Sequence, residues 1–167
     1  MARYYRRKRI YRKKNKWNIE QRASTSASNA WRQITTAGSF SQQILVPIVP
    51  AIQQEGVRKV KNISISMAMV NSGSYYGPIY WALIYAPEGT VINELKYDDE
   101  LYQPSNFVIN SGIIDNQNEN KYRISSRLAR NLNANDRIYL LMGTRPTQIG
   151  GDLPTINWLV RYAVCFN

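Results

Sequence analysis

The chain has 167 residues, with 22 Lys and Arg against 11 Asp and Glu, no histidine, and a formal net charge of +11. Without histidine it lacks the commonest general base, the Ser-His and Cys-His dyads and most zinc sites. With Cys165 alone it can form no intramolecular disulfide and no thiolate cluster, so nothing calls for an oxidising compartment.

The length sets a prior of one domain, with enough residues to bury a sandwich or barrel without staples. No apolar run approaches the roughly 18 residues that would span a membrane, so no membrane insertion is expected. The N-terminus carries charge but no apolar stretch of a secretory signal. A soluble, intracellular, basic protein is the expectation.

The first sixteen residues, MARYYRRKRIYRKKNK, hold Arg3, Arg6, Arg7, Lys8, Arg9, Arg12, Lys13, Lys14 and Lys16 and no acid. Subtracting these nine charges from +11 leaves only +2 on the remaining 151 residues. Such a block cannot bury itself, because each cation would lose its hydration without a partner. Tyr4, Tyr5, Tyr11 and Trp17 are set among the cations. Aromatics stack on unpaired bases while Arg and Lys neutralise phosphates, a pairing suited to single-stranded nucleic acid without sequence readout. The same Arg-Lys clusters have the composition of a nuclear import signal. From Trp17 to Asn29 the sequence WNIEQRASTSASN has no apolar periodicity and reads as a linker. The predicted domains are therefore 1–29, a basic arm with its linker, and 30–167, a β-structured body.

From Ala30 onward, Gly, Pro, Asn and Asp punctuate β-branched and aromatic runs at 30–36, 41–48, 57–70, 79–86, 106–114, 121–130, 137–143 and 155–166. In the last run Ile156, Trp158, Val160, Tyr162, Val164 and Phe166 alternate with Asn157, Leu159, Arg161, Ala163 and Cys165, the pattern of a strand with one buried face. Ile63, Ile65, Met67 and Met69 alternate in the same way, as do Tyr122, Ile124 and Leu128. The best helical stretch is one turn near Ile92–Lys96. The 87–105 and 144–154 connections are too long for an up-and-down barrel. The predicted fold is all-β: a single eight-stranded antiparallel jelly roll with a disordered basic N-terminal arm. Labelling the runs B to I gives sheets B-I-D-G and C-H-E-F.

Chemistry is scarce. No Gly is followed by Lys, so there is no phosphate-cradling P-loop, and no G-x-G-x-x-G exists. Asp98, Asp99 and Glu100, with Glu94 nearby, could offer oxygens to a hard cation, although carboxylates adjacent in sequence diverge along a strand. They equally suit a solvated loop or partners for basic residues on a neighbouring chain. No cofactor and no enzymatic activity are expected. On the predicted sheet B-I-D-G, Arg123, Arg127 and Arg161 lie opposite the apolar residues of their strands, joined by Arg58. These four form a candidate wall beside the arm, or an ordinary solvated face.

The phrases RYYRRKR and YRKK in the arm, and VRKVKNI, YWALIYAPEGT, LYQPSNFVINSGIID, YRISSRLARNLNANDRIYLL and VRYAVCFN in the body, carry a resemblance. Together they resemble the capsid proteins of circoviruses and circovirus-like, Rep-encoding circular single-stranded DNA viruses. The resemblance covers most of the chain, with a body shorter in its loops than a typical circovirus capsid protein. It implies a jelly roll that self-assembles, typically as 60 copies in a T=1 icosahedral shell. It further implies arms that point inward to bind single-stranded DNA and direct nuclear import, and hence a protein of the virion and, during assembly, the host nucleus. The loops 71–78, 87–105, 115–120 and 144–154, with Tyr75, Tyr76, Tyr97 and Tyr102 in or beside them, would form outer surface and subunit contacts. Two other readings fit the same residues: a nucleic-acid-binding protein that does not assemble, and the coat protein of a small satellite-type RNA virus.

Overall fold

The structure is a computed structural model that describes residues 16–26, 30–33, 42–53, 56–70, 77–91, 107–115, 121–144 and 153–166. Most of the arm, the helical turn expected at 92–96, the acidic residues at 94–100 and the four loop tyrosines lie outside the described residues. Ten strands are present among the described residues: β1 (Asn18–Ser26), β2 (Arg32–Gln33), β3 (Gln42–Val49), β4 (Arg58–Val70), β5 (Pro78–Ala86), β6 (Val108–Asp115), β7 (Lys121–Ser126), β8 (Arg130–Leu132), β9 (Arg137–Thr144) and β10 (Thr155–Phe166). Among the described residues there is no α-helix.

All pairings are antiparallel and make two five-stranded sheets. One runs β1-β10-β4-β7, with β8 also on β4; the other runs β2-β3-β9-β5-β6. With β1 as strand B, the first is B-I-D-G and the β3-β9-β5-β6 part of the second is C-H-E-F. The fold is a jelly roll, as the alternation of β10 and β4 and the long connections led us to expect.

Strand B is not where the sequence put it. The run 30–36 contributes only the two residues of β2, which pair with β3 in the opposite sheet. The B position belongs to Asn18–Ser26, which had read as linker, so the β-structured body begins at Asn18 and not at 30. The physical reason is that β1 is an edge strand with almost every residue exposed. It is held by its backbone ladder to β10 and a few side-chain bonds, none of which needs apolar periodicity. Thr25 Oγ1 bonds Asn157 Oδ1 at 2.8 Å, and the indole of Trp158 donates to Ser26 Oγ at 2.9 Å. Arg22 donates across the seam to the Pro47 carbonyl of β3.

The core lies between the sheets and gathers the inward sides of β3, β4, β5, β9 and β10. Ile156, Trp158, Val160, Tyr162 and Val164 of β10 face Ile48, Ile79, Leu83, Ile138, Leu140 and Met142 of the other sheet, all buried. Each such side chain contributes on the order of 1.5–3 kcal/mol of burial. Trp31, just before β2, is buried and donates its indole N–H to the Pro154 carbonyl at 3.2 Å.

One irregularity sets the geometry of everything that follows. The β4–β10 register runs Arg161↔Ser64 and then Ala163↔Lys61, so Asn62 and Ile63 together oppose the single Tyr162. This is a β-bulge, and Asn62 takes the left-handed conformation (φ 54°) that Asn tolerates better than most residues. The extra residue shifts the alternation by one. Ile63, Ile65, Met67 and Met69 point inward, but so do Val60 and Arg58, while Lys59 and Lys61 turn out.

Candidate nucleic-acid interface

The outward face of the β1-β10-β4-β7 sheet takes its residues from four strands. β4 supplies Lys59, Lys61, Ser64, Ser66 and Ala68. From β10 come Asn157, Leu159, Arg161 and Ala163; from β7 come Lys121 and Arg123; Ile19 and Gln21 come from β1. Five of these side chains are cations. The acids among the described residues lie elsewhere: Glu20 shares the side of Tyr162, Glu88 and Asp136 sit in turns at one end, and Asp115 closes β6 in the other sheet. A face with cations and no compensating acid focuses positive potential toward a polyanion.

This face corrects and extends the wall expected from the sequence. Arg123 and Arg161 are exposed on it, and Arg127 is exposed just past the end of β7. Arg58 is not on it. The bulge at Asn62 turns Arg58 inward, where it is 5% exposed and donates Nη2 to the Pro50 carbonyl at 2.9 Å and the Asp136 carbonyl at 3.2 Å. Burial lowers its pKa below the usual guanidinium value, opposed by the charges of Tyr162 and Asp136. In its place the bulge supplies Lys59 and Lys61, which parity along the strand had missed. The signal was present: Val60 is out of phase with Ile63, Ile65, Met67 and Met69.

The face is not flat. β4 lies between β10 and β7 and carries small side chains outward, Ser64, Ser66 and Ala68, while its neighbours carry Leu159 and Arg161 on one side and Lys121 and Arg123 on the other. The result is a trough along β4. It consists of two hollows of about 500 Å³ each that share Ser66, Arg123 and Leu159. Arg123 leans over the floor, its Nε donating to Ser64 Oγ at 3.2 Å.

The root of the arm reaches the same face. Register puts Ala163 between Ile19 of β1 and Lys61 of β4. Lys61 Nζ sits 3.8 Å from the centroid of the Trp17 ring, a cation–π contact. Trp17, expected among the nucleic-acid-binding residues, is thus engaged by Lys61. Arg3, Tyr4, Tyr5, Arg6, Arg7, Lys8, Arg9, Tyr11, Arg12, Lys13 and Lys14 lie outside the described residues, and Lys16 is exposed beside Trp17.

A second polar cluster, at one end of the sandwich, is a structural knot. Asp136 is 3% exposed and its carboxylate accepts from the Tyr85 hydroxyl at 2.7 Å and the backbone N–H groups of Asn133 at 2.7 Å and Glu88 at 3.2 Å. Burial, reinforced by the bond to Asp136, pushes the Tyr85 phenol up to about 12. No group of three or more potential metal ligands occurs among the described residues; the candidates Asp98, Asp99 and Glu100 are outside them. No described helix is long and apolar enough to cross a membrane.

No family model matches the sequence, and no curated protein matches it. Among solved structures, the chain is similar to one titled as the structure of infectious bursal disease virus Gx strain, at 10% identity and a TM-score of 0.39. That match covers 87% of this chain and 32% of the other, so the chain spans about a third of that protein's length. It is also similar to one titled as the Israeli acute paralysis virus full particle heated to 63 degrees, at 10% identity and a TM-score of 0.38, over 92% of this chain and 70% of the other. At these scores the jelly-roll assignment rests on the strand order and register of the molecule itself.

Proposed function

We propose that this protein is a viral capsid subunit that assembles into a small icosahedral shell, of 60 copies in T=1 symmetry, and packages single-stranded DNA through its N-terminal arm. The observation that carries the reading is the pairing of the nine-cation arm with a basic sheet face that bears no acid among the described residues and receives the arm's root at Trp17 and Lys61. A jelly roll with no histidine offers little for catalysis and two broad sheet faces for contacts. The arm would supply the bulk of the charge, about 60 × 9 = 540 positive charges per shell against phosphate repulsion. Its Arg-Lys clusters would also direct nuclear import, placing the protein in the host nucleus during assembly and in the virion afterwards.

Light scattering and negative-stain microscopy of the purified full chain test the reading. Uniform small particles containing nuclease-identified DNA are expected; RNA as cargo would favour the satellite-type coat protein. A monomer under all salt conditions with nucleic acid present would leave only the non-assembling binder. Replacing the nine arm cations by Gln should flatten the salt dependence of single-strand binding by about 0.7 × 9, or roughly 6 units of slope. An unchanged slope would remove the arm from the cargo contact.

A further inference from the structure

We infer that the trough along β4 is a fixed track for one nucleic-acid strand, distinct in mode from the arm. It takes a short run of phosphates between Arg123 and Arg161 with unpaired bases against the Leu159 side. The inference rests on the polyanion reading above and deepens it by naming where and in what form the strand is held.

The geometry and the charge point the same way. β10 and β7 are the two neighbours of β4, so the trough walls stand two strand spacings apart, about 9.6 Å between backbones. A duplex whose major groove alone is about 12 Å wide cannot lower both backbones into that width, whereas one strand fits. From Asn62 to Ala68 the floor is about 20 Å long, room for a run at the low end of the about 4–16 nucleotides of an OB-fold site. Hydroxyls of Ser64 and Ser66 line the floor and suit phosphate or sugar contacts, which carry no sequence information. Cations stand along it: Lys121 and Arg123 on the β7 wall, Arg161 on the β10 wall, Lys59 and Lys61 beyond the bulge. Leu159, 42% exposed among these charges, offers an apolar surface for a base that has left its stack.

The trough ends where the arm begins. Gln21 and Ile19 line its Asn62 end, and Trp17 lies against Lys61 close by. A strand leaving the trough at that end passes directly to the polycation. Trp17 is also a natural reporter, because the other three tryptophans, Trp31, Trp81 and Trp158, are buried.

The test uses the full chain, a fluorescein-labelled thymidine oligomer and a duplex of the same length, at fixed ionic strength. Ser66→Phe fills the floor without changing charge. It should weaken oligomer binding about five- to tenfold and leave duplex binding, held by the arm, within about twofold. Ala68→Leu, a smaller filling substitution, is the second variant in case Ser66→Phe fails to fold; the same selective loss is expected. Arg123→Gln with Arg161→Gln should lower the single-strand salt slope by about 2 × 0.7, or 1.4. Oligomer binding should quench the Trp17 emission, and Trp17→Phe should abolish that change. Unchanged oligomer affinity in folded Ser66→Phe and Ala68→Leu chains overturns the track, as does an equal loss for oligomer and duplex. Both outcomes leave the polyanion reading standing; that reading falls only if the native chain binds neither probe.

Discussion

The two sheets turn very different faces outward. The β1-β10-β4-β7 sheet shows Lys59, Lys61, Lys121, Arg123 and Arg161 around a floor of small residues. The corresponding face of the other sheet shows Leu45, Tyr80, Ala82, Ile84, Ile113, Tyr139 and Leu141, with Gln43 and Ser111 between them and Arg32 and Arg137 toward its margins. There Ala82 and Leu141 are buried at 0% and 5% exposure, and Tyr80 and Ile84 pack against them as a second small cluster outside the main core. Two five-stranded antiparallel sheets therefore carry one basic face and one largely apolar face. Substitutions should separate along the same line. Changes on the basic face should move nucleic-acid binding and leave folding alone, and changes on the apolar face should do the reverse.

The largest effect is expected on the apolar side. Leu141→Asp places an unpaired carboxylate among Leu45, Ala82 and Ile84, which should cost about 3–5 kcal/mol and shift the urea midpoint strongly downward. The folded fraction should bind a thymidine oligomer as the native chain does. A parallel loss of affinity would mean that the two faces are coupled through the core.

A smaller loss is expected where the apolar sheet is tightest. Gly112 pairs with Trp81, and a Cβ there would sit 2.9 Å from Trp81 Cζ2. Gly112→Ala must displace the indole and should cost about 1–3 kcal/mol by denaturant titration. An unchanged midpoint would show that the ring has room to move.

The smallest effect belongs to the knot at the end of the sandwich and appears only at high pH. Tyr85 is raised from its ordinary value of 10 to about 12, so the folded state holds its proton more tightly than the unfolded state. The stability this provides is complete below pH 10 and is lost as pH rises from 10 to about 12. Tyr85→Phe should remove that part of the alkaline decline, read as a shallower loss of the denaturation midpoint across the same window. Curves that stay parallel would separate Tyr85 from the alkaline transition.

What could be read in advance followed from burial. β10 was legible because one face is buried and its alternation holds from Ile156 to Val164, breaking only at the buried Cys165 and the exposed Phe166; the strand order of seven runs followed once they were labelled on the jelly-roll scheme. β1 was illegible for the opposite reason, since an exposed edge strand held by backbone bonds needs no pattern at all. Arg58 was misplaced and Lys59 and Lys61 missed because parity was carried through Asn62 as though β4 were regular. The Asp136 knot joins Tyr85, Glu88 and Asn133, three residues with no local signature of meeting.

The bulge at Asn62 has a further consequence, for the shape of the sheet. Removing Asn62 leaves Val60 and Ile63 in strict alternation, so the faces of β4 survive the deletion. Residues 58–61 would also keep their partners, because Ile63 alone would then face Tyr162 and Lys61 would still pair with Ala163. What the deletion would take away is the bend and added twist that a bulge gives its strand. Asn62 therefore acts on the curvature of the basic sheet and not on which residues meet across it.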